Sequence, residues 1–432
     1  MEKNRLEISR LFHRFGFGPK PGEFATAVKK GLKQTQERVL NISDPDYGAA
    51  NLARPQFSDL GARPKPNSPG VIDFVTALKN QSNDLTLWWL DKMVVSDFPL
   101  IEKMTWFWHG HWATSIKKVE YPLTMFKQNE NLRAHAVGNF QEMSQAMVND
   151  GALQLWLDGQ TNSVASPNEN LARELMELFT IGVNKYSEED VKAAAKALTG
   201  YQVTPSNGQV SLNPKRRNLN PITILGVNKY FTGEGLSDFL VERPDCQSFI
   251  AERIWFRFIS STEGTPKSFE AYSAFAKRQI YPTISAAARS KAISNPKYEM
   301  VKSPVEWFVG SCRALEIIPS QLQTSDRLFT YLDRLGQLPF APPSVGGWPA
   351  GSAWLSSASS LYRIEFAKWL IKRSQLNFLK ATPSKDRVVA SENWLGVYSW
   401  SERTKVTLNS AASDPELFAL LALCAPEYLV NA

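Results

Sequence analysis

Cysteine and histidine are scarce in this chain, with three of the one and four of the other in 432 residues. Cys246, Cys312 and Cys424 are odd in number and far apart. They offer neither a disulfide framework nor a thiolate metal site, and they suit a reducing compartment or incidental burial. Long apolar runs are also missing. The longest, around Leu417 to Ala425, is too short to span a bilayer. The charged start Met1-Glu2-Lys3-Asn4-Arg5 is followed by no apolar stretch of signal-peptide length. The expectation is a cytoplasmic protein without a transmembrane segment; export as a passenger on a signal-bearing partner stays open. Internal repeats are absent at periods of about 20–50 residues, which argues against a solenoid.

Positive charge is present but dilute. The net +7 is spread along the chain, and only Lys117-Lys118 and Lys215-Arg216-Arg217 cluster. No helix-turn-helix, zinc-finger or RNA-binding signature accompanies them, so no nucleic-acid partner is expected. A protein partner or a glycan, an acidic one included, suits such a surface better.

What is abundant is helical patterning. Apolar residues recur at helical spacing over about 7–15, 22–39, 71–95, 99–108, 123–148, 167–181, 187–198, 236–240, 246–258, 268–289, 304–315, 321–335, 359–374 and 415–423. Three stretches break the pattern. Residues 44–70 are rich in Pro, Gly, Ser and Asp and read as a loop-rich insertion. Residues 202–230 alternate polar with Val, Leu and Ile around Asn207-Gly208, a hairpin signal. Residues 339–358 carry Trp348 and Trp354 on a Gly/Pro-stiffened loop, which suits either a stacking platform for sugars or a core plug. The fold class is therefore all-α, a multi-helix single unit over 1–432 with a minor β-hairpin insertion.

The densest segment runs from Ser166 to Gly182. Ser166 as N-cap, Pro167 at the first helical position and Glu169 three residues after Ser166 form a capping-box pattern. Gly182 suits a left-handed C-cap. At helical spacing Glu169, Asn170, Arg173, Glu174 and Glu177 fall within about 140° of arc, beside a wide apolar side. This stripe is either an i, i+4 charge ladder on a solvated face, or a cleft wall on which Glu174 and Glu177 act as base, acid or metal ligands with Arg173 as a charge clamp.

His109-Gly110-His111 is the second constellation, set among Trp106, Trp108 and Trp112. A His-x-His pair converges on one metal if the backbone is extended; on a continuous helix the rings lie about 200° apart. The helical pattern ends near Gly110, which places the pair at a helix exit. His135, inside the following helical segment, is a candidate third ligand. His13 reads as structural.

These pieces carry a resemblance. Arg14-Phe15-Gly16-Phe17-Gly18, Phe107 through Ser115, Asn168 through Gly182, Asp190 through Tyr201, Val301-Lys302-Ser303-Pro304-Val305-Glu306, Leu335-Gly336-Gln337, Pro342-Pro343 and Gly346-Gly347-Trp348-Pro349 occur in order across nearly the whole chain. In this the chain resembles the domain-of-unknown-function 1800 family of bacterial proteins. The resemblance also implies a His-Asp pair and a lysine shortly before Ile224-Leu225-Gly226. This chain has Arg217 and Asn218 in place of the pair, and Ile222 in place of the lysine. Three functions are in play. One is a metal-assisted hydrolase-like enzyme, or a degenerate relative, in which His109, His111 and one glutamate hold a divalent metal. The second is a non-catalytic partner or scaffold of a cell-surface or polysaccharide system. The weakest is a metal-free hydrolase using Glu174 and Glu177, which share one helix face and so cannot flank a sugar from opposite sides.

Overall fold

In the computed structural model, which describes residues 4–322 and 325–431, helix dominates and β-structure is confined to two-stranded antiparallel pairs. Helices Val71–Val95, Pro304–Leu315 and Pro415–Leu423 occupy the bounds their apolar periodicity predicts. Several longer patterns are cut in two. Gly31, at φ 87°, separates Glu23–Lys30 from Leu32–Val39. Pro122–His135 and Phe140–Val148 are parted at Ala136–Asn139, and Arg278, at φ 59°, precedes Ile280–Arg289. Apolar spacing persists through such breaks because both halves face the same core, so periodicity alone cannot show them.

The 202–230 region holds two hairpins where one was expected. Tyr201–Thr204 pairs with Gln209–Leu212 across Asn207-Gly208, and Ile222–Ile224 pairs with Val227–Lys229 across Leu225-Gly226. Leu225 and Gly226 both have positive φ, as a two-residue hairpin turn requires. Residues 51–69 lack regular structure, in keeping with the loop-rich insertion, and Tyr47–Ala50 adds one short helix before them.

The apolar interior divides into two large clusters. One contains Met104, Phe107, Trp108, Trp112, Phe140, Leu175, Phe179, Trp255 and Phe258. The other contains Trp89, Trp106, Val305, Trp307, Phe308, Trp348, Trp354 and Phe366. Helix Leu100–His111 lies on the seam and supplies both. Buried arginines hold loop and helix-end carbonyls nearby: Arg14 donates to Ile259 O at 2.7 Å, and Arg313 donates to Gly18 O, Val94 O and Ser96 O at 2.8–2.9 Å. Such contacts satisfy backbone acceptors that have no helical partner.

Candidate functional site

Helix Leu100–His111 runs through the histidine pair rather than stopping before it, and Trp112 N–H closes it onto Trp108 O. The two rings therefore point into different cores. His109 is enclosed by Trp89, Trp106, Phe340 and Trp348, with ring centroids 5.2–6.1 Å away. Its Nε2 accepts from Phe340 N–H at 3.2 Å, so that lone pair is already used and the ring proton sits on Nδ1. His111 packs on Trp108, Trp112, Phe179 and Phe249 and donates Nε2–H to Phe179 O at 3.0 Å. Burial pushes His109 down to about 3 and His111 well below its ordinary value, the latter helped by the Arg253 charge. Both are neutral imidazoles at pH 7. His135 stands elsewhere, its Nδ1 bonded to Asn131 O of its own helix at 2.9 Å, beside Glu142 and Glu234 in a shallow depression. Among the described residues no three His, Cys, Asp or Glu side chains are grouped so as to hold a metal ion. The set His109, His111 and His135 is not brought together.

The carboxylate stripe starts later than its capping pattern suggests. The α-helix opens at Asn170, and Ser166 is taken up in a turn with Ser163. Asn168 Oδ1 receives Asn170 N–H at 3.0 Å, while Asn168's own N–H is held by Asn162 Oδ1. This pull on Asn168 keeps Pro167 out of the helix and replaces the expected Ser166–Glu169 box. Residues Leu175–Thr180 then widen into a π-helix, which shifts the phase of everything after Glu174. Gly182, at φ 85°, ends the segment as predicted. Arg173 donates to Glu169 at 3.2 Å and to Glu188 at 2.7–2.8 Å, and Tyr186 Oη–H donates to Glu177. Glu174 is half-buried, and burial followed by the neighbouring Glu177 charge raises it above the ordinary carboxylate range. The segment does pack against the histidine helix, through Phe179 and not through its carboxylates: Trp112 and Phe179 lie 4.6 Å apart.

At the positions where the resemblance implies a His-Asp pair and a lysine, Arg217 Nη2 donates to Tyr230 Oη at 3.3 Å and Asn218 N–H donates to Thr199 Oγ1 at 2.8 Å. Ile222 is buried in its strand. All three are absorbed into hairpin packing.

A different place gathers the segments that carry the resemblance. Trp106, Phe107 and Gly110, then Ser303 and Glu306, then Gln337, then Trp348, Gly351 and Trp354 line one narrow cleft on the seam between the two cores. Gly347 explains how the last of these arrives. A Cβ there would sit 2.4 Å from Gly110 O, so only glycine lets the two backbones meet, and its φ of 80° suits glycine as well. Trp348 is thereby stacked on Trp106 at 5.1 Å. Trp348 and Trp354 are both core-packed, at 5% and 4% exposure, so neither offers an open stacking platform.

The charged wall of the cleft escaped the sequence reading. Lys103 and Glu306 form an ion pair in which the lysine is buried and the glutamate side chain is 21% exposed. Burial acts to raise Glu306, but Lys103 and the capping donors of Ser303 outweigh it and hold the carboxyl below its ordinary value. Arg257, from helix Pro244–Phe258, enters the cleft and donates to Trp348 O at 3.1 Å. Burial lowers it from the usual arginine range, partly offset by Glu306. Next to this wall Lys302 Nζ lies 3.4 Å from the centre of the Tyr428 ring, buried and held well below the ordinary lysine range by burial. A lysine and an arginine at helical positions look like solvated charges in one dimension. Only the 302–306 segment, already part of the resemblance, marked the place.

No curated protein and no solved structure matches the chain. A family model described as a protein of unknown function, DUF1800, matches residues 10–430. The chain therefore belongs to the DUF1800 family.

Proposed function

We propose that this protein is a non-catalytic binding component of a polysaccharide system, and that the cleft between Trp106, Trp348 and Arg257 is where it grips its ligand. One observation carries the reading: segments from five parts of the chain converge there, while His109 stands behind the cleft as a hydrogen-bonded wall. A binding cleft needs aromatic walls and a few placed polar groups, and this one has both. In this reading Arg173, Glu174 and Glu177 stabilise the 170–180 helix and do no chemistry. The metal-assisted alternative asks His109, His111, His135, Glu174 and Glu177 to cooperate from separate environments. Glu174 keeps a narrower version alive, because its raised carboxyl next to Glu177 is what a general acid requires.

The test is to incubate the purified full chain with a panel of acidic and neutral polysaccharides, measuring retention and new reducing ends together with bound metal. Retention without new ends, unaltered by chelator, is the expected result. Reducing ends that vanish on Glu174→Gln, or a stoichiometric metal lost on His109→Ala with His111→Ala, would replace binding with catalysis.

A further inference from the structure

Basic side chains are spread along the chain, but acidic ones leave a gap. Residues 191–233 hold six of the 49 lysines and arginines and none of the 42 aspartates and glutamates, so the rest of the molecule is within one charge of neutral. The six are Lys192, Lys196, Lys215, Arg216, Arg217 and Lys229. Among the described residues none of them has a carboxylate at ion-pair distance; Lys192 feels that of Glu188 from farther away and is set aside.

The link between the two hairpins, Leu212-Asn213-Pro214-Lys215-Arg216-Arg217-Asn218-Leu219, places three of these cations between two exposed leucines. Its neighbours add to both characters. Arg216 O takes Val164 N–H at 3.1 Å, and Arg217 donates to Tyr230 Oη. Thr199 Oγ1 accepts Asn218 N–H while donating to Lys196 O, which brings the end of the Lys196 helix alongside. Val164, Leu212, Leu219 and Tyr230 are four of the 17 large apolar side chains that stand exposed among the described residues, with Leu219 at 66%. They form a cluster rather than the single scattered residues that any surface shows.

The link's backbone is closed as well. Asn213 N–H donates to Gly200 O, Lys215 N–H to Asn213 Oδ1 and Arg216 N–H to Asn213 O. Arg217 N–H donates to Pro214 O and Asn218 N–H to Thr199 Oγ1, while Pro214 has no N–H to satisfy. Arg216 Nη2 pins the base of the link to Gln160 O and Thr161 O. A loop that presents leucines without an open backbone donor can leave water at little polar cost.

This combination selects the partner. Sugar rings and nucleic-acid bases are gripped by flat aromatic faces, and residues 191–233 expose one, Tyr230, already bonded to Arg217. Exposed leucines gain nothing from either ligand. A bilayer of acidic lipid uses both features: its phosphates take the cations, and the boundary between headgroups and acyl chains takes the leucines. We propose that the link between the hairpins docks this protein peripherally on an acidic phospholipid surface. Lys196, Lys215 and Arg217 meet the phosphates, and Leu212 and Leu219 dip into the boundary. The docking surface is independent of the cleft and stands whether or not the cleft binds a polysaccharide.

Flotation of the full chain with vesicles tests it, using phosphatidylcholine alone and phosphatidylcholine mixed equally with phosphatidylglycerol. The expected result is binding to the acidic vesicles and none to the neutral ones. Lys196→Ala with Lys215→Ala should weaken binding about thirtyfold, at about fivefold per lysine, and Leu219→Ser several-fold. Lys29→Ala with Lys30→Ala removes the same charge from the end of helix Glu23–Lys30 and should weaken it by less than about threefold. All five side chains are exposed, so these variants keep the fold, and their melting temperatures check it. Absence of binding to acidic vesicles, equal binding to neutral ones, or equal loss in the two lysine pairs overturns the proposal. So does indifference to Leu219→Ser. If polygalacturonate binds as tightly as the acidic vesicles and loses affinity with the Lys196 and Lys215 pair but not with Leu219→Ser, the surface belongs to an acidic glycan instead.

Discussion

At the scale of single residues, the protein's histidines act by being neutral. His109 fills an aromatic cage and accepts from Phe340 N–H. Removing its ring leaves both a cavity and an unmet donor, so His109→Ala is expected to cost about 3 kcal/mol in urea unfolding. A loss below about 1 kcal/mol would show that the cage collapses without penalty. The same burial predicts a pH dependence. Folding lowers the His109 pKa to about 3 from its ordinary value of 6.5, so the unfolded chain binds the extra proton between those values. Stability from this group is complete above pH 6.5 and is lost as pH falls toward 3. Between pH 7 and 5 the loss is about 2 kcal/mol. His109→Gln cannot titrate, and its unfolding free energy should fall by correspondingly less over that interval. Parallel pH slopes for the two proteins would disprove the assignment.

At the scale of elements, the π-helical stretch Leu175–Thr180 and its glycine terminus decide how the 170–182 segment meets the rest. Gly182 has φ 85°, and a Cβ there would lie 3.1 Å from the Phe249 ring, which itself packs on His111. Gly182→Ala should therefore destabilise by about 1–2 kcal/mol from backbone conformation alone. Because Phe249 must shift, the environment of the His111 ring should change as well, visible in its imidazole NMR signals. An alanine variant of wild-type stability would mean that the left-handed turn is dispensable. The second hairpin depends on Asp190, whose carboxylate takes Leu225 N–H at 2.6 Å while also capping its own helix through Ser187. Asp190→Ala is expected to cost about 1–2 kcal/mol and to raise amide exchange in residues 222–229 more than in 201–212. Uniform exchange across both hairpins would count against that coupling.

At the scale of the whole molecule, the seam between the two cores is held by charge as well as by rings. Lys103 belongs to helix Leu100–His111 and Glu306 to helix Pro304–Leu315, and their pair is largely shielded from water. Breaking one side of such a pair leaves a stranded charge, so Lys103→Met alone should cost about 3–5 kcal/mol. Adding Glu306→Gln removes that charge, and the double variant should recover part of the loss. A double-mutant cycle with strictly additive effects would show that the pair does not couple the helices. Among the described residues no helix is long and apolar enough to cross a membrane, as the short apolar runs imply.

The amino-acid sequence by itself determined the helical class, the hairpin turn at Asn207-Gly208, the Gly182 terminus and the family; its loop-rich 44–70 stretch holds apart from the short helix Tyr47–Ala50. Each depends on short-range rules: apolar spacing, turn residues and ordered motifs. Tertiary structure decided where the helices break, because residues on both sides of Gly31 or of Arg278 face the same core and keep one pattern. It decided that Asn168, tied to Asn162, displaces the Ser166 cap. It also decided that a helix extended by a few residues sends His109 and His111 into opposite cores. The cleft was legible only as fragments. Trp106, Ser303, Glu306, Gln337 and Trp348 lie in segments whose order is visible, but Lys103 and Arg257 join them only through packing. Which side chains share a cleft is a property of three-dimensional surroundings, and no spacing along the chain records it.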